Sequence, residues 1–171
     1  WQAFDDPVAL GVGEHGPTSD TIDATYPHRA RFADDARSGT VSGWDPWIGG
    51  GEPLVAVSNA GVLNPLAAPF VVLPAWYAPA AVKLLGLAAA IGFTYLFCRR
   101  LGTSRVPAVF GGVAFAGSGY LVMWSNWPQA DVAALMPALF WATERLLQRG
   151  TASSAVPVAL ALAALLLGNF P

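Results

Sequence analysis

The sequence contains no acidic residue between Glu52 and Asp131, and most of the residues between them are apolar. A typical soluble domain is about 25% charged, whereas this chain of 171 residues is 12% charged and 54% hydrophobic. A chain of this composition lacks the polar surface that a soluble fold needs. We therefore expect a membrane protein of mainly α class, with several helices crossing the bilayer.

The acidic residues are concentrated at the start of the chain. Residues 1–52 contain nine acids and three bases, whereas residues 53–171 contain two acids and six bases. The net charge of −2 and the nine Lys and Arg residues exclude a nucleic-acid binder, and the high hydrophobicity excludes a disordered chain. The single cysteine, Cys98, excludes a disulfide framework.

Four apolar stretches follow the acidic part, at about 78–98, 106–124, 130–148 and 152–170. About 20 apolar residues span a bilayer. The apolar core of the third stretch is shorter than this, so that stretch either crosses at a tilt or packs against its neighbours. The prediction is three to four spans over residues 76–171.

Residues 1–75 are predicted to form a loop outside the membrane. An amphipathic interfacial helix is expected within residues 19–38, with Ser19 or Asp20 as its cap and Pro27 at its regular start or at a kink. The apolar segment 54–76 is interrupted by Asn64 and three prolines. Such short runs favour an interfacial or re-entrant segment over a straight span.

Basic residues predict the orientation of these spans. Two short loops contain them, one with Arg99, Arg100 and Arg105 and the other with Arg145 and Arg149. The positive-inside rule places both loops in the cytoplasm and residues 1–75 on the outer face. The aromatic residues expected at the outer interface are Trp76, Tyr77, Trp124 and Trp127.

Asp20 and Asp23 are the candidate catalytic residues. Three positions apart on a helix, they lie on one face, where a carboxylate at the membrane surface can act as general base on a sugar or lipid hydroxyl. The alternative is that one caps the helix and the other interacts with its dipole. Because they are not an adjacent acidic pair, we expect no metal cofactor, although a divalent cation stays open.

Basic residues of the same helix are candidates for substrate binding. His28, Arg29 and Arg31 follow the two acids, and an Arg guanidinium is a bidentate donor to a phosphate or pyrophosphate leaving group. The alternative is a solvated helix face in which Arg31 pairs with Asp34 and Asp35.

Trp44 and Lys83 complete the candidate site. Trp44 precedes Asp45 in a glycine-rich loop and can stack on a sugar, or it can anchor the loop at the membrane interface. Lys83 lies inside the first predicted span, where a charge costs ~2.5–3.5 kcal/mol and usually faces a cavity. Alternatively it snorkels to the outer interface, and Asp131 either pairs with it or caps a helix.

The order of several short motifs resembles the first outer loop and following helices of bacterial YfhO-type membrane proteins. An early acid precedes an amphipathic helix, a Trp-x-Pro turn, a Gly-x-Pro step and a proline-containing return to the membrane. The residues that carry this resemblance are Ser19-Asp20, Tyr26-Pro27, Gly43-Trp44-Asp45-Pro46, Gly50-Gly51-Glu52-Pro53-Leu54, Asn64-Pro65, Ser118-Gly119-Tyr120, Met136-Pro137-Ala138-Leu139 and Gly168-Asn169-Phe170-Pro171.

The resemblance implies a glycosyltransferase of the GT-C superfamily in the bacterial cytoplasmic membrane. Such proteins take a sugar from a polyprenyl-phosphate donor on the outer face, and Asp20 best matches the position of their essential acid. Membrane lipids and the lipid-linked sugar are then the implied partners. The family's first spanning helix and later helices are absent from this sequence, so we expect an excerpt of a larger polytopic protein that is inactive alone.

Two other functions stay open at the level of sequence. Lys83 and the proline-broken segment 54–76 also fit a transporter, in which broken helices line a substrate path. A scaffold subunit whose acidic loop binds another protein is the third reading.

Overall fold

The computed structural model describes Thr21 and residues 25–41, 43–47, 50–56 and 60–168. These residues are mainly helical, as predicted, and their only β-type pairing is an antiparallel bridge between Asp45 and Glu52. Seven α-helices lie in the described part: α1 (Tyr26–Arg37), α2 (Pro69–Val72), α3 (Ala78–Arg100), α4 (Arg105–Ala116), α5 (Gly119–Met123), α6 (Pro128–Arg149) and α7 (Ala155–Leu166).

Two of the four predicted long helices form over nearly the expected residues. Helix α3 extends the first by two residues at its end, and α6 extends the third by two residues at its start and one at its end. The stretch 106–124 is divided into α4 and α5, because Gly117 ends the first helix and Ser118 adopts an extended backbone conformation. The fourth stretch starts with the 3-10 turn Ala152–Ser154 and continues as α7.

The long helices pack side by side as a bundle. At one end, the guanidinium of Arg100 in α3 donates to the side chain of Gln148 in α6 over 2.9 Å. At the other end, Lys83 of α3 and Asp131 of α6 line one cavity. Helices α3 and α6 therefore run parallel, while α4 and α7 return in the opposite direction beside them.

Among the helices of the described part, only α3 has the length and apolarity of a membrane span. Its 23 residues correspond to about 34 Å. Helix α4 and the stretch Ala152–Leu166 are apolar but shorter, and α6 contains charged residues near both ends. The prediction of three to four spans is thus not established by helix length and composition.

Helix α1, the 3-10 turn Pro65–Ala67 and α2 lie at the end of the bundle where α3 and α6 begin. Thr25 occupies the N-cap position of α1, and Pro27 lies in its first turn. Phe70 of α2 contacts the Tyr26 ring, with the ring centroids 5.8 Å apart. Arg37 donates to the backbone carbonyls of Val71 and Leu73 at the end of α2, and these bonds attach α2 to α1.

Gly112 allows α3 and α4 to approach closely. A Cβ atom built on Gly112 would lie 2.6 Å from the backbone oxygen of Ile91 in α3. Gly119, in contrast, has no atom within 4 Å of such a Cβ. Close packing of α3 against α4 therefore explains the glycine at position 112 but not the glycine at position 119.

Substituting Gly112→Ala is expected to destabilise the bundle by about 1–3 kcal/mol, because the added methyl group displaces the backbone of α3. The matched control is Gly92→Ala, a helical site where the new Cβ meets no atom within 4 Å. Unfolding of both purified variants by denaturant measures the difference. Equal stabilities would show that α3 and α4 do not meet at Gly112.

Candidate functional site

A buried ion pair joins the first helix to the bundle. The Arg29 guanidinium donates to Oδ2 of Asp131 over 2.7 Å, and the two residues are 4% and 8% exposed. The sequence predicts that Asp131 either pairs with Lys83 or caps a helix. In the structure the N-cap of α6 is Trp127, and the Asp131 carboxylate pairs with Arg29. A buried arginine needs such a partner, because an unpaired charge in a low-dielectric site is strongly unfavourable.

The backbone around residue 60 completes the environment of Arg29. Its Nε donates to the carbonyl oxygen of Ala60 over 2.8 Å. Gly61 has a φ of +54°, and a Cβ there would lie 3.2 Å from the Arg29 guanidinium and 3.0 Å from the Gly168 carbonyl. The loop therefore passes closely between α1 and the end of α7, which requires glycine at this position.

His28 holds the glycine-rich loop against α1. Its ring, 2% exposed, lies with Nε2 2.6 Å from Oε1 of Glu52. The loop closes on itself through the backbone bonds between Asp45 and Glu52, and the Trp44 ring lies against the backbone of Gly51. Trp44 is about half exposed and therefore presents part of its ring to the surroundings.

Arg31 follows Arg29 by two residues of α1 and therefore lies on a different face of the helix from the side chain that pairs with Asp131. It pairs with Asp35 over 3.3 Å, one of the two partners expected for a solvated face. Asp34, the other expected partner, pairs with Arg37 over 2.8 Å instead. Arg31 is not among the residues that line the cavities described next.

A cavity of about 280 Å³ lies between α3, α5 and α6. Lys83, Ser125 and Asp131 supply its polar lining. The rest of the wall is apolar or glycine: Gly86, Leu87, Ala90, Ala116, Leu121, Val122, Ala130 and Ala134. An apolar cavity with a few polar groups at one end is typical of a site for an amphiphilic ligand.

A narrow cleft continues from this cavity towards α1. Tyr26, Arg29 and Asn126 line it, together with the Lys83 and Asp131 side chains that it shares with the cavity. Burial raises the pKa of the Tyr26 hydroxyl; the positive charge of Arg29 opposes the rise and the negative charge of Asp131 adds to it. The phenol therefore remains protonated and able to donate at neutral pH.

The predicted catalytic acids, Asp20 and Asp23, lie outside the described residues. Thr21, which follows Asp20 in the sequence, is buried and donates its hydroxyl to the Asn126 carbonyl over 3.0 Å. Asn126 lines the cleft and is adjacent in sequence to Ser125 of the cavity. Among the described residues, no group of three or more His, Cys, Asp or Glu side chains is placed to hold a metal ion.

The structure therefore brings Arg29, Lys83 and Asp131 to one end of the bundle. His28 and Trp44 instead contact residues of the glycine-rich loop beside it. Sequence reasoning missed the pairing of Arg29 with Asp131, which are 102 residues apart. One signal was present: Asp131 is a lone acid in a long apolar region, and such a residue needs a base.

Comparisons with protein-family models, with curated proteins and with solved structures found no match to this chain.

Removing one partner of the buried pair is expected to destabilise the fold. Asp131→Leu leaves the Arg29 charge buried and unpaired, which should lower the free energy of unfolding by about 3–5 kcal/mol. The double variant Arg29→Met, Asp131→Leu removes both charges and should recover much of this loss. Thermal and denaturant unfolding of the purified variants gives the comparison.

The exposed pair of Arg37 and Asp34 supplies a control for that experiment. Asp34→Leu should cost less than about 1 kcal/mol, because exposed ion pairs contribute little. A double variant no more stable than Asp131→Leu alone would contradict the assignment of a buried, mutually dependent pair.

Proposed function

We propose that this chain is the outer loop and following helices of a bacterial membrane glycosyltransferase, which transfers a sugar from a polyprenyl-phosphate donor to an envelope acceptor. The observation that supports this most directly is the cavity between α3, α5 and α6. It combines an apolar wall with a lysine near the outer loop, which suits a hydrocarbon chain with an anionic head. Its neighbouring cleft is lined by Asn126, whose carbonyl accepts from Thr21, the residue that follows the proposed catalytic acid in the sequence.

The membrane placement is supported by the outward-facing surface of the helices. Most of α3 is not covered by the rest of the described chain. Large apolar side chains on several helices are at least two-thirds exposed, which is unfavourable in water and favourable in lipid. Among them are Leu84, Phe110, Met123, Leu160 and Leu166.

The ends of the bundle differ in the way that a membrane protein requires. Trp76, 91% exposed, and Tyr77 precede α3, and Trp124 and Trp127 precede α6 at the same end. Aromatic residues of this kind favour the membrane interface. The arginines of the loops at the opposite end favour the cytoplasmic side, which supports the proposed orientation with α1 on the outer face of the cytoplasmic membrane.

In this proposal Lys83 contacts the donor phosphate. Its ammonium group is the cation that lines the cavity, whereas Arg29 is already engaged by Asp131 and the Ala60 carbonyl. A cation beside the phosphate stabilises the negative charge that develops as the bond between the anomeric carbon and the phosphate oxygen breaks. Trp44 presents a partly exposed ring in the adjoining glycine-rich loop, and His28 of α1 attaches that loop through Glu52.

Asp20 is the proposed general base, with Asp23 as the second candidate. The carboxylate takes the proton of the acceptor hydroxyl while the hydroxyl oxygen forms the new bond to the anomeric carbon. The bond between Thr21 and Asn126 supports this role, because it holds the residue after Asp20 beside the cleft. No metal is assigned to the reaction.

The decisive measurement follows labelled sugar from a polyprenyl-phosphate donor into envelope glycans, using the intact protein in membranes of a deletion strain. Asp20→Asn should lower transfer at least a hundredfold, because a positioned general base contributes about 10²–10⁴-fold. Lys83→Gln should raise the donor KM, because it removes the charge that faces the phosphate. Asp34→Asn, at an exposed acid of α1, is the matched control and should retain wild-type transfer.

Immunoblots of the membrane fraction establish that all variants accumulate equally. If wild-type membranes show no transfer, or if Asp20→Asn retains it, the catalytic proposal is wrong. Loss of function at Lys83 alone would instead favour a transporter.

The orientation has its own test in a Cys98→Ser background, which removes the single native cysteine. Val41→Cys lies at the α1 end and Ala152→Cys at the arginine-rich end, and both positions are exposed. A membrane-impermeant maleimide should label the first in intact spheroplasts and the second only after permeabilisation. Labelling of both sites in intact spheroplasts would rule out a bundle that separates them across the membrane.

A further inference from the structure

A second cavity, of about 340 Å³, lies on another side of α5, between α4 and α6. It shares Leu121 with the first cavity but is otherwise lined by different residues. Phe115 and Met136 are among its apolar residues, and none of the described residues that line it is charged. Its chemistry therefore differs from that of the lysine-containing cavity.

Gln129 lines this second cavity with an unsatisfied side chain. The residue is 7% exposed, and its Oε1 atom is buried without a hydrogen-bond partner in the described part of the chain. A buried carbonyl oxygen left unpaired costs about 1–3 kcal/mol. Such groups in folded proteins almost always have a partner, so a donor is expected at this position.

A proline inside α6 removes one backbone donor close to the same wall. Pro137 lies inside α6 and has no N–H, so it cannot donate to the carbonyl of Ala133 four residues earlier. Ala133 also lines the second cavity. Proline is tolerated in membrane helices when another group satisfies the carbonyl that it leaves.

The position of Gln129 along α6 indicates where a ligand's polar group lies. It is the second residue of α6 and follows Trp127 by two positions, which places it at the aromatic end of the bundle. At that depth the polar and apolar parts of a lipid meet. Met136 lies about two helical turns further along and extends the apolar wall from this point.

We propose that the second cavity binds a neutral lipid alcohol. Its hydroxyl donates to the Gln129 side-chain oxygen at the outer end, and its hydrocarbon chain lies between α4, α5 and α6. An anionic lipid is disfavoured, because none of the described residues that line the cavity is a cation that could pair with a phosphate. The assignment does not depend on the proposed transfer reaction and stands or falls separately from it.

Two probes of equal chain length test the proposal. Dodecan-1-ol has an O–H donor, whereas dodecyl methyl ether has an oxygen that only accepts. Each is titrated into the intact protein in an amine-oxide detergent, which itself has no hydroxyl donor, and the rise in unfolding temperature gives the dissociation constant. Wild type should bind the alcohol about tenfold more tightly than the ether, the ratio that one buried hydrogen bond produces.

Gln129→Leu keeps the side-chain volume but removes the acceptor, so it should bind both probes equally. Gln129→Met serves the same purpose if the leucine variant does not fold. Ser125→Ala, in the wall of the first cavity, is the control and should keep the tenfold preference. Equal binding of both probes to wild type, a preference that survives in Gln129→Leu, or a preference lost in Ser125→Ala would each overturn the proposal.

Discussion

The pairing of Arg29 with Asp131 determines where α1 lies against the bundle. Neither charge is stable alone in a dry site, so α1 must meet α6 at this point. Once α1 is placed, His28 attaches the glycine-rich loop through Glu52, and Arg37 attaches α2 through its terminal carbonyls. The cleft beside the ion pair exists because these elements converge there.

Local sequence patterns predicted where the helices form better than they predicted which residues of different helices are in contact. Apolar length and flanking arginines located α3, because these signals lie within a single segment. The break between α4 and α5 depends on the backbone conformation of Ser118, which a glycine-rich apolar stretch does not reveal. The partner of Arg29 could not be predicted from spacing, since it comes from a helix 102 residues away and is selected by burial.

Helix α5 separates two cavities of different electrostatic character. On one side Lys83 supplies a positive charge, and on the other the Gln129 amide supplies uncharged polarity. Leu121 contributes to both walls. In the two proposals, a bundle of a few helices separates an anionic from a neutral amphiphile by the polar residue at each cavity, because the hydrocarbon walls alone give little discrimination between lipid chains.

Lys83 is the single lysine of the sequence, and it is exposed at the mouth of the first cavity. Arginine guanidinium groups do not react with reagents directed at primary amines under mild conditions, so this chain presents one side-chain amine to such reagents. Acylation of that amine would neutralise the charge and fill the mouth in one step. Its rate of modification therefore reports directly on whether a ligand occupies the cavity, without any change to the sequence.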